Sequence, residues 1–268
     1  MKRAMKTFLA VSVAAALFIG MTPVNTMNSA AAASRSEAIG ISGQHVVSLS
    51  ETYKYKGFKY YLKKESGKYV LYKKDLESKQ QSKILNLGIV TGQDINYGVF
   101  LACGNYAYVC DDTFDGGYMY IVNMKTKKIT KSPRESLLVG NKLYGNFYAI
   151  TYYSGDYGLY GAYVLNAKKG KIITLAKKGS RPQAAGAMAY YVKAGKNGSY
   201  SVMSYDIKND KKKTVKTFKN DIFNNPGEPA ISDVEKDSCI VYNGNWGPTS
   251  DVTYKLTFST GEMEKITD

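Results

Sequence analysis

Histidine and tryptophan are almost missing: the chain has one of each, His45 and Trp246. A single histidine near the start leaves little room for a Ser-His-Asp triad or a histidine-rich zinc centre. Neither the HExxH zinc pattern nor the GxSxG nucleophile elbow occurs. Cysteine is scarce too. The three residues Cys103, Cys110 and Cys239 lack zinc-site spacing, and their odd number argues against a disulfide framework. Cys103 and Cys110 could meet across a hairpin turning near Asn105-Tyr106; the alternative is that all three are small buried apolar residues. No glycine-rich loop follows a strand and opens a helix, which removes the phosphate-cradling motifs. Arginine is rare: beyond residue 33 only Arg35, Arg134 and Arg181 occur. Bidentate recognition of bases and phosphates relies on arginine, so nucleic acid is not an expected partner. No long stretch after residue 33 keeps an apolar period of 3.6, which excludes a helical architecture.

The one long apolar run, Phe8 to Met21, follows Lys2, Arg3 and Lys6 and precedes Ala31-Ala32-Ala33. A basic start, a short apolar stretch and small residues before a cleavage point make residues 1–33 a secretory signal peptide. No transmembrane segment is expected after its removal. Loss of three basic and no acidic residues takes the formal charge from +15 to +12. That charge is mostly lysine, which suits diffuse attraction to anionic polymers. The remaining length is common for one all-β domain.

Tyrosine, in contrast, is abundant at 24 residues, and it is spaced. Five segments share a large residue, two intervening positions, a small polar residue and an apolar one: Tyr72 to Leu76, Tyr120 to Met124, Tyr163 to Ala167, Met203 to Ile207 and Tyr254 to Phe258. The polar position falls at 75, 123, 166, 206 and 257, in steps of 48, 43, 40 and 51 residues. Each segment leads into a lysine- or glycine-containing turn, and a short strand follows most of them. Upstream of each lies another strand rich in aromatic and β-branched residues: Phe58 to Leu62, Tyr106 to Cys110, Phe147 to Thr151, Met188 to Val192 and Cys239 to Tyr242. Short runs such as Leu137 to Val139 precede some of these. Repeats of about 40 to 50 residues built from short strands mark propeller blades. The expectation is therefore an all-β fold, a β-propeller of about five four-stranded antiparallel blades, each a meander A-B-C-D. A lone meander cannot cover both its faces, and radial stacking solves that.

The pattern Tyr-Tyr…Gly-x-Tyr-x-Leu-Tyr-x-x-Asp-Leu…Lys over residues 60–83 resembles the blades of secreted bacterial β-propellers of the TolB-like and low-density-lipoprotein-receptor-propeller-like kind. The resemblance covers most of residues 53–268 and implies a propeller domain there. The YWTD sequence of receptor propellers is absent. Residues 34–52, with His45-Val46-Val47-Ser48-Leu49, form an N-terminal segment expected to add a closing strand.

Loop residues carry the remaining chemistry. Asp111 to Gly116 reads DDTFDG, like the opening of a calcium loop, but the twelfth position is Val122 rather than a bidentate acid. It reads as a turn between strands B and C, and no metal site is expected. Ser154-Gly155-Asp156-Tyr157-Gly158 resembles the start of a sialidase Asp-box, with Tyr160-Gly161 in place of the closing Thr-Trp, so Asp156 reads as a turn residue. Asp111, Asp115, Asp156, Glu228, Asp233 and Glu235 are the acids from which a carboxylate-dependent glycan-active enzyme would have to draw its pair. The leading expectation is instead a secreted, non-enzymatic and monomeric binding or scaffold protein without cofactor, extracellular or associated with the cell wall. The lysine-rich C–D turns would form one face, resting on anionic cell-wall polymer. Phe114, Asp115, Asp156, Tyr157, Tyr160 and Trp246, in or beside B–C loops, would bind a glycan or peptide on the other, since aromatic rings offer flat apolar area at small entropic cost.

Overall fold

The computed structural model describes residues 52–90, 97–111, 118–132, 136–137, 142–152, 161–224, 227–244 and 252–266. The expected signal peptide, the segment up to residue 51 and His45 lie outside the described residues. Blade 1 comprises β1 (Thr52–Tyr55), β2 (Phe58–Glu65), β3 (Lys68–Asp75) and β4 (Gln81–Val90). Blade 2 comprises β5 (Tyr97–Cys103), β6 (Tyr106–Asp111), β7 (Tyr120–Asn123) and β8 (Lys128–Lys131). In blade 3, β9 (Ser136–Leu137) and β10 (Lys142–Tyr144) precede β11 (Phe147–Tyr152), β12 (Ala162–Asn166) and β13 (Lys171–Ala176). Blade 4 holds β14 (Gln183–Ala185), β15 (Met188–Ala194), β16 (Ser199–Asp206) and β17 (Lys211–Lys219); blade 5 holds β18 (Pro229–Ser232), β19 (Ser238–Asn243), β20 (Thr253–Thr257) and β21 (Met263–Ile266). Every sheet runs in chain order, each strand antiparallel to the next, except that β9 pairs with β11 beside β10. The fold is a five-bladed β-propeller.

Local chemistry explains the rhythm. The recurring polar residue at the end of strand C closes an Asx turn. Asp75 Oδ1 accepts the backbone N–H groups of Glu77 and Ser78, and Asn123 Oδ1 those of Lys125 and Thr126. Asp206 Oδ1 does the same for Lys208 and Asn209, and Asn166 Oδ1 accepts from Lys169. These bonds hold the carboxyl of Asp75 below its ordinary range, chiefly through Ser78 N–H. The Asn209 side chain and backbone do so for Asp206. In blade 5 the position is Thr257; Gly261 N–H donates to Thr257 O at 2.8 Å, and the Asp237 carboxylate, from the A–B side, accepts the N–H of Ser259 at 3.0 Å.

Four apolar clusters join consecutive blades. Tyr60, Tyr69 and Leu71 of blade 1 meet Val99, Ala107 and Val109 of blade 2. Phe100 and Tyr108 of blade 2 meet Ile150 and Leu165 of blade 3. Val164 and Leu175 of blade 3 pack on Ala189, Tyr191 and Tyr205 of blade 4, and Val192, Val202 and Phe218 of blade 4 on Ile231, Val241 and Leu256 of blade 5. Among the described residues no cluster joins blade 5 to blade 1. The burial pattern agrees: β12 is buried at every position, whereas β19 alternates between half-buried and buried.

One expectation needs correction. The β5–β6 hairpin turns at Gly104-Asn105, so Cys103 pairs with Tyr106 while Cys110 pairs with Gly98 at the far end. The two thiols cannot face each other, and all three cysteines are free and buried. In blade 3 two described pieces pair with the same edge of β11, Leu137 with Thr151 and Lys142 with Tyr148; Leu138 and Val139 lie outside the described residues.

Candidate ligand-binding face

The meander order sends the A–B and C–D turns to one end of the propeller and the B–C loops and D–A crossovers to the other. The expected ligand residues Phe114, Asp115, Asp156, Tyr157, Tyr160 and Trp246 lie outside the described residues. Their flanks are anchored at the loop end. Gly161, directly after Tyr160, donates its N–H to Gly179 O at 3.0 Å, and Gly244 donates to Glu228 O at 2.8 Å.

The blade 3 to blade 4 crossover is stitched flat onto β15. Ser180 N–H donates to Val192 O at 2.8 Å, Val192 N–H donates to Ser180 Oγ at 2.8 Å, and Ala194 N–H donates to Lys178 O at 3.1 Å. Glycine is required at 179, since a Cβ there would stand 2.3 Å from Val192 O. The crossover and the B–C end of blade 4 enclose a cavity of about 400 Å³, lined by Thr174, Leu175, Ala176, Lys177, Lys178, Lys193, Ala194 and Gly195. Among the described residues its lining contains three lysines and no acid. All three lysines are exposed. Arg181 continues the same crossover. Burial lowers its pKa, and it lies beside Tyr242, whose own pKa burial raises while Arg181 lowers it.

A smaller hollow of about 290 Å³ lies between blades 4 and 5 at the C–D end, beside the Tyr190–Phe258 ring stack. Its hydroxyls are engaged by the protein: Ser204 Oγ donates to Lys213 O, Ser259 Oγ to Asp237, and Thr214 Oγ1 to Met203 Sδ.

Lysines crowd the C–D turns, at Lys79, Lys125, Lys127, Lys168, Lys169 and Lys208, and acids stand among them at Asp75, Glu77, Asp206, Asp210 and Glu262. The aromatic and acidic residues expected to form the other face lie outside the described residues. At the loop end the described lining of the cavity holds lysines without an acid. Sequence reasoning missed Lys177, Lys178 and Lys193. Their only signal was a lysine pair before Gly179-Ser180-Arg181-Pro182, which the chain's general lysine content masks.

The carboxylates named for a catalytic pair are spread out. Glu228 lies at the loop end of β18, while Asp233 and Glu235 lie in the A–B turn at the other end, where they accept the hydroxyls of Ser232 and Ser238. Asp115 and Asp156 lie outside the described residues, and Asp111 ends β6. Among the described residues the resolved carboxylate shifts, at Glu65, Asp75 and Asp206, are downward, and no group of His, Cys, Asp and Glu is placed to hold a metal ion. No helix among them is long and apolar enough to cross a membrane.

Neither a family model nor a curated protein matches the sequence. Among solved structures, the chain is similar to TolB from Acinetobacter baumannii, at 12% identity and a TM-score of 0.31, covering 78% of this chain and 51% of that one. A TolB candidate from Agrobacterium tumefaciens gives 11% identity and a TM-score of 0.35, covering 77% and 76%. A prolyl endopeptidase gives 12% identity and a TM-score of 0.38, covering 82% and 36%. The chain thus spans about half of the Acinetobacter protein and about a third of the peptidase. Likenesses this distant say nothing of activity.

Proposed function

We propose that the chain is a secreted, non-enzymatic binding propeller of the bacterial cell surface, and that its loop end holds an anionic cell-wall polymer or glycan. One observation carries this reading: the hollow between blades 3 and 4 gathers Lys177 and Lys178 of the crossover with Lys193 of β15, with no acid among the described residues that line it. Exposed cations with no ion pair among the described residues attract an anion without first breaking one. The expected aromatic residues of the blade 3 B–C loop lead into Gly161, bonded to that crossover, and would add flat apolar contact beside the charge.

The test is binding of a purified polyphosphodiester cell-wall polymer, with an uncharged glucan as control. The K177S/K178S/K193S variant is expected to bind the polymer at least about tenfold more weakly. Unchanged affinity would overturn the reading. A mature N-terminus at Ser34 in culture medium would support secretion, and retention of residues 1–33 would refute it. For glycan hydrolysis, Glu228 is at the opposite end of its blade from Asp233 and Glu235; a pair would have to come from Glu228, Asp111, Asp115 and Asp156 at the loop end, of which Asp115 and Asp156 lie outside the described residues.

A further inference from the structure

The outward face of blade 1, the one turned away from blade 2, has an unusual composition. Cross-strand pairing places Tyr61 opposite Tyr72, Lys59 opposite Lys74, and Glu65 opposite Lys68, with Gln81 and Lys83 continuing the same face on β4. Of its aliphatic members, Val70 is fully buried, while Val90, opposite Lys68 at the end of β4, is exposed; around the two tyrosines the face offers aromatic and charged groups. The two tyrosine rings stack with centroids 5.8 Å apart and planes inclined by 23°. Lys63 Nζ stands 4.8 Å from the Tyr72 centroid and 5.8 Å from that of Tyr61. Both phenols are oriented by hydrogen bonds. Tyr61 Oη donates to Gln81 Oε1 at 2.8 Å, and Tyr72 Oη donates to Glu65.

The acid on this face is already committed. Glu65 accepts Tyr72 Oη and pairs with Lys83 Nζ at 2.9 Å, which leaves Lys59, Lys63, Lys68 and Lys74 in excess. Lys59 and Lys74 are like charges directly opposed on paired strands, an arrangement that destabilises a sheet. The fold gains nothing from it, whereas a bound anion would relieve it. We infer that this face is a docking surface for an anionic polysaccharide, whose sugar rings stack on Tyr61 and Tyr72 while its acidic groups lie against Lys59, Lys63 and Lys74. Three features select that occupant over others. Paired flat rings suit the faces of successive sugar units. The charge is lysine with no arginine, which disfavours specific nucleic-acid contact. The acid on the face, Glu65, is engaged by Tyr72 and Lys83, so the charge left over is cationic. The inference is independent of the lysine cavity, which lies at the loop end between blades 3 and 4.

The experiment measures binding of the full chain to polygalacturonate, which has sugar rings and carboxylates, and to polyglutamate, which has carboxylates alone. Wild-type protein is expected to prefer polygalacturonate and to lose affinity as salt is raised. Tyr61→Ala with Tyr72→Ala is expected to lower affinity for polygalacturonate about tenfold and to leave polyglutamate unchanged, two ring contacts being lost. Lys59→Gln with Lys74→Gln is expected to weaken both ligands while leaving the melting temperature at or above the wild-type value. Should the tyrosine pair fail to fold, the lysine pair decides. Equal binding of both polymers, or polygalacturonate binding indifferent to either variant pair, overturns the proposal; the first outcome points to an acidic peptide. K177S/K178S/K193S is expected to leave the tyrosine-dependent binding intact, so the two surfaces succeed or fail separately.

Discussion

Strand β12 in blade 3 and strand β19 in blade 5 are both central strands of four-stranded meanders, yet they live in different surroundings. Every residue of Ala162–Asn166 is buried, because blades 2 and 4 cover both faces of its sheet. In Ser238–Asn243 only Cys239, Val241 and Asn243 are buried; Ser238, Ile240 and Tyr242 look away from blade 4. Blade 1 repeats this, with an outward face of lysine and tyrosine. One repeat unit thus tolerates two solutions: a strand apolar on both sides in the interior of the array, and a strand alternating apolar and polar at its ends. A stacked array derives its stability from neighbour contacts, so end units should be its weakest members.

Amide exchange should separate the two environments most widely. Strand β12 is expected to exchange at the global unfolding limit, and β21, at the outer edge of the last blade, roughly a hundredfold faster or more. Equal protection across all five blades, read by mass spectrometry, would erase the distinction. Next in size is core truncation. Leu165→Ala, fully buried between blades 2 and 3, should cost about 3 kcal/mol in urea unfolding. Ile240→Ala, on the outward face of blade 5, should cost about 1 kcal/mol or less.

A finer cut contrasts two buried tyrosines of interior blades. Tyr108 Oη donates to Ala167 O at 2.7 Å across the blade 2–3 boundary, so Tyr108→Phe should lose about 1 to 2 kcal/mol by leaving that carbonyl unmatched. The buried Tyr191 hydroxyl has no protein hydrogen-bond partner, and burial pushes its pKa up to about 12. Tyr191→Phe should therefore leave stability unchanged or raise it, and a loss comparable to that of Tyr108→Phe would count against the packing described.

The smallest effect should ignore blade position altogether. Asp75 lies in a terminal blade and Asp206 in an interior one, and both have folded pKa values below their ordinary 3.8. Their contribution is fully present above the unfolded-state pKa and is lost as pH falls through the lower folded value. Asp75→Asn and Asp206→Asn should each flatten the acid side of the stability profile slightly and to a similar degree, as chemical denaturation in steps below neutral pH would show.

Much of this was legible before any coordinates. The tyrosine segments, the polar residue at 75, 123, 166, 206 and 257, and the aromatic upstream strands all fall on strands C and B and their turns, because turn closure and strand formation depend on neighbours within a few residues. The two-piece pairing along β11 in blade 3 was not legible: Leu137 to Val139 looks like a strand, but the partner of Leu137 is Thr151, further along the chain. The candidate site was read less well. The lysine cavity escaped notice because its members come from a crossover and from the following blade, and nothing local distinguishes Lys193 from the other lysines.

What the amino-acid order decides alone is the module: a short meander with an Asx turn after strand C, repeated five times, since those energies are spent between residues close in the chain. Which faces of the modules are covered, where cations gather, and that Tyr61, Lys63 and Tyr72 stand together on a sheet face that no other described blade packs against are decided only by tertiary packing. Burial and electrostatic environment are properties of neighbours in space, and identical strand patterns acquire different ones at the middle and at the ends of a stack.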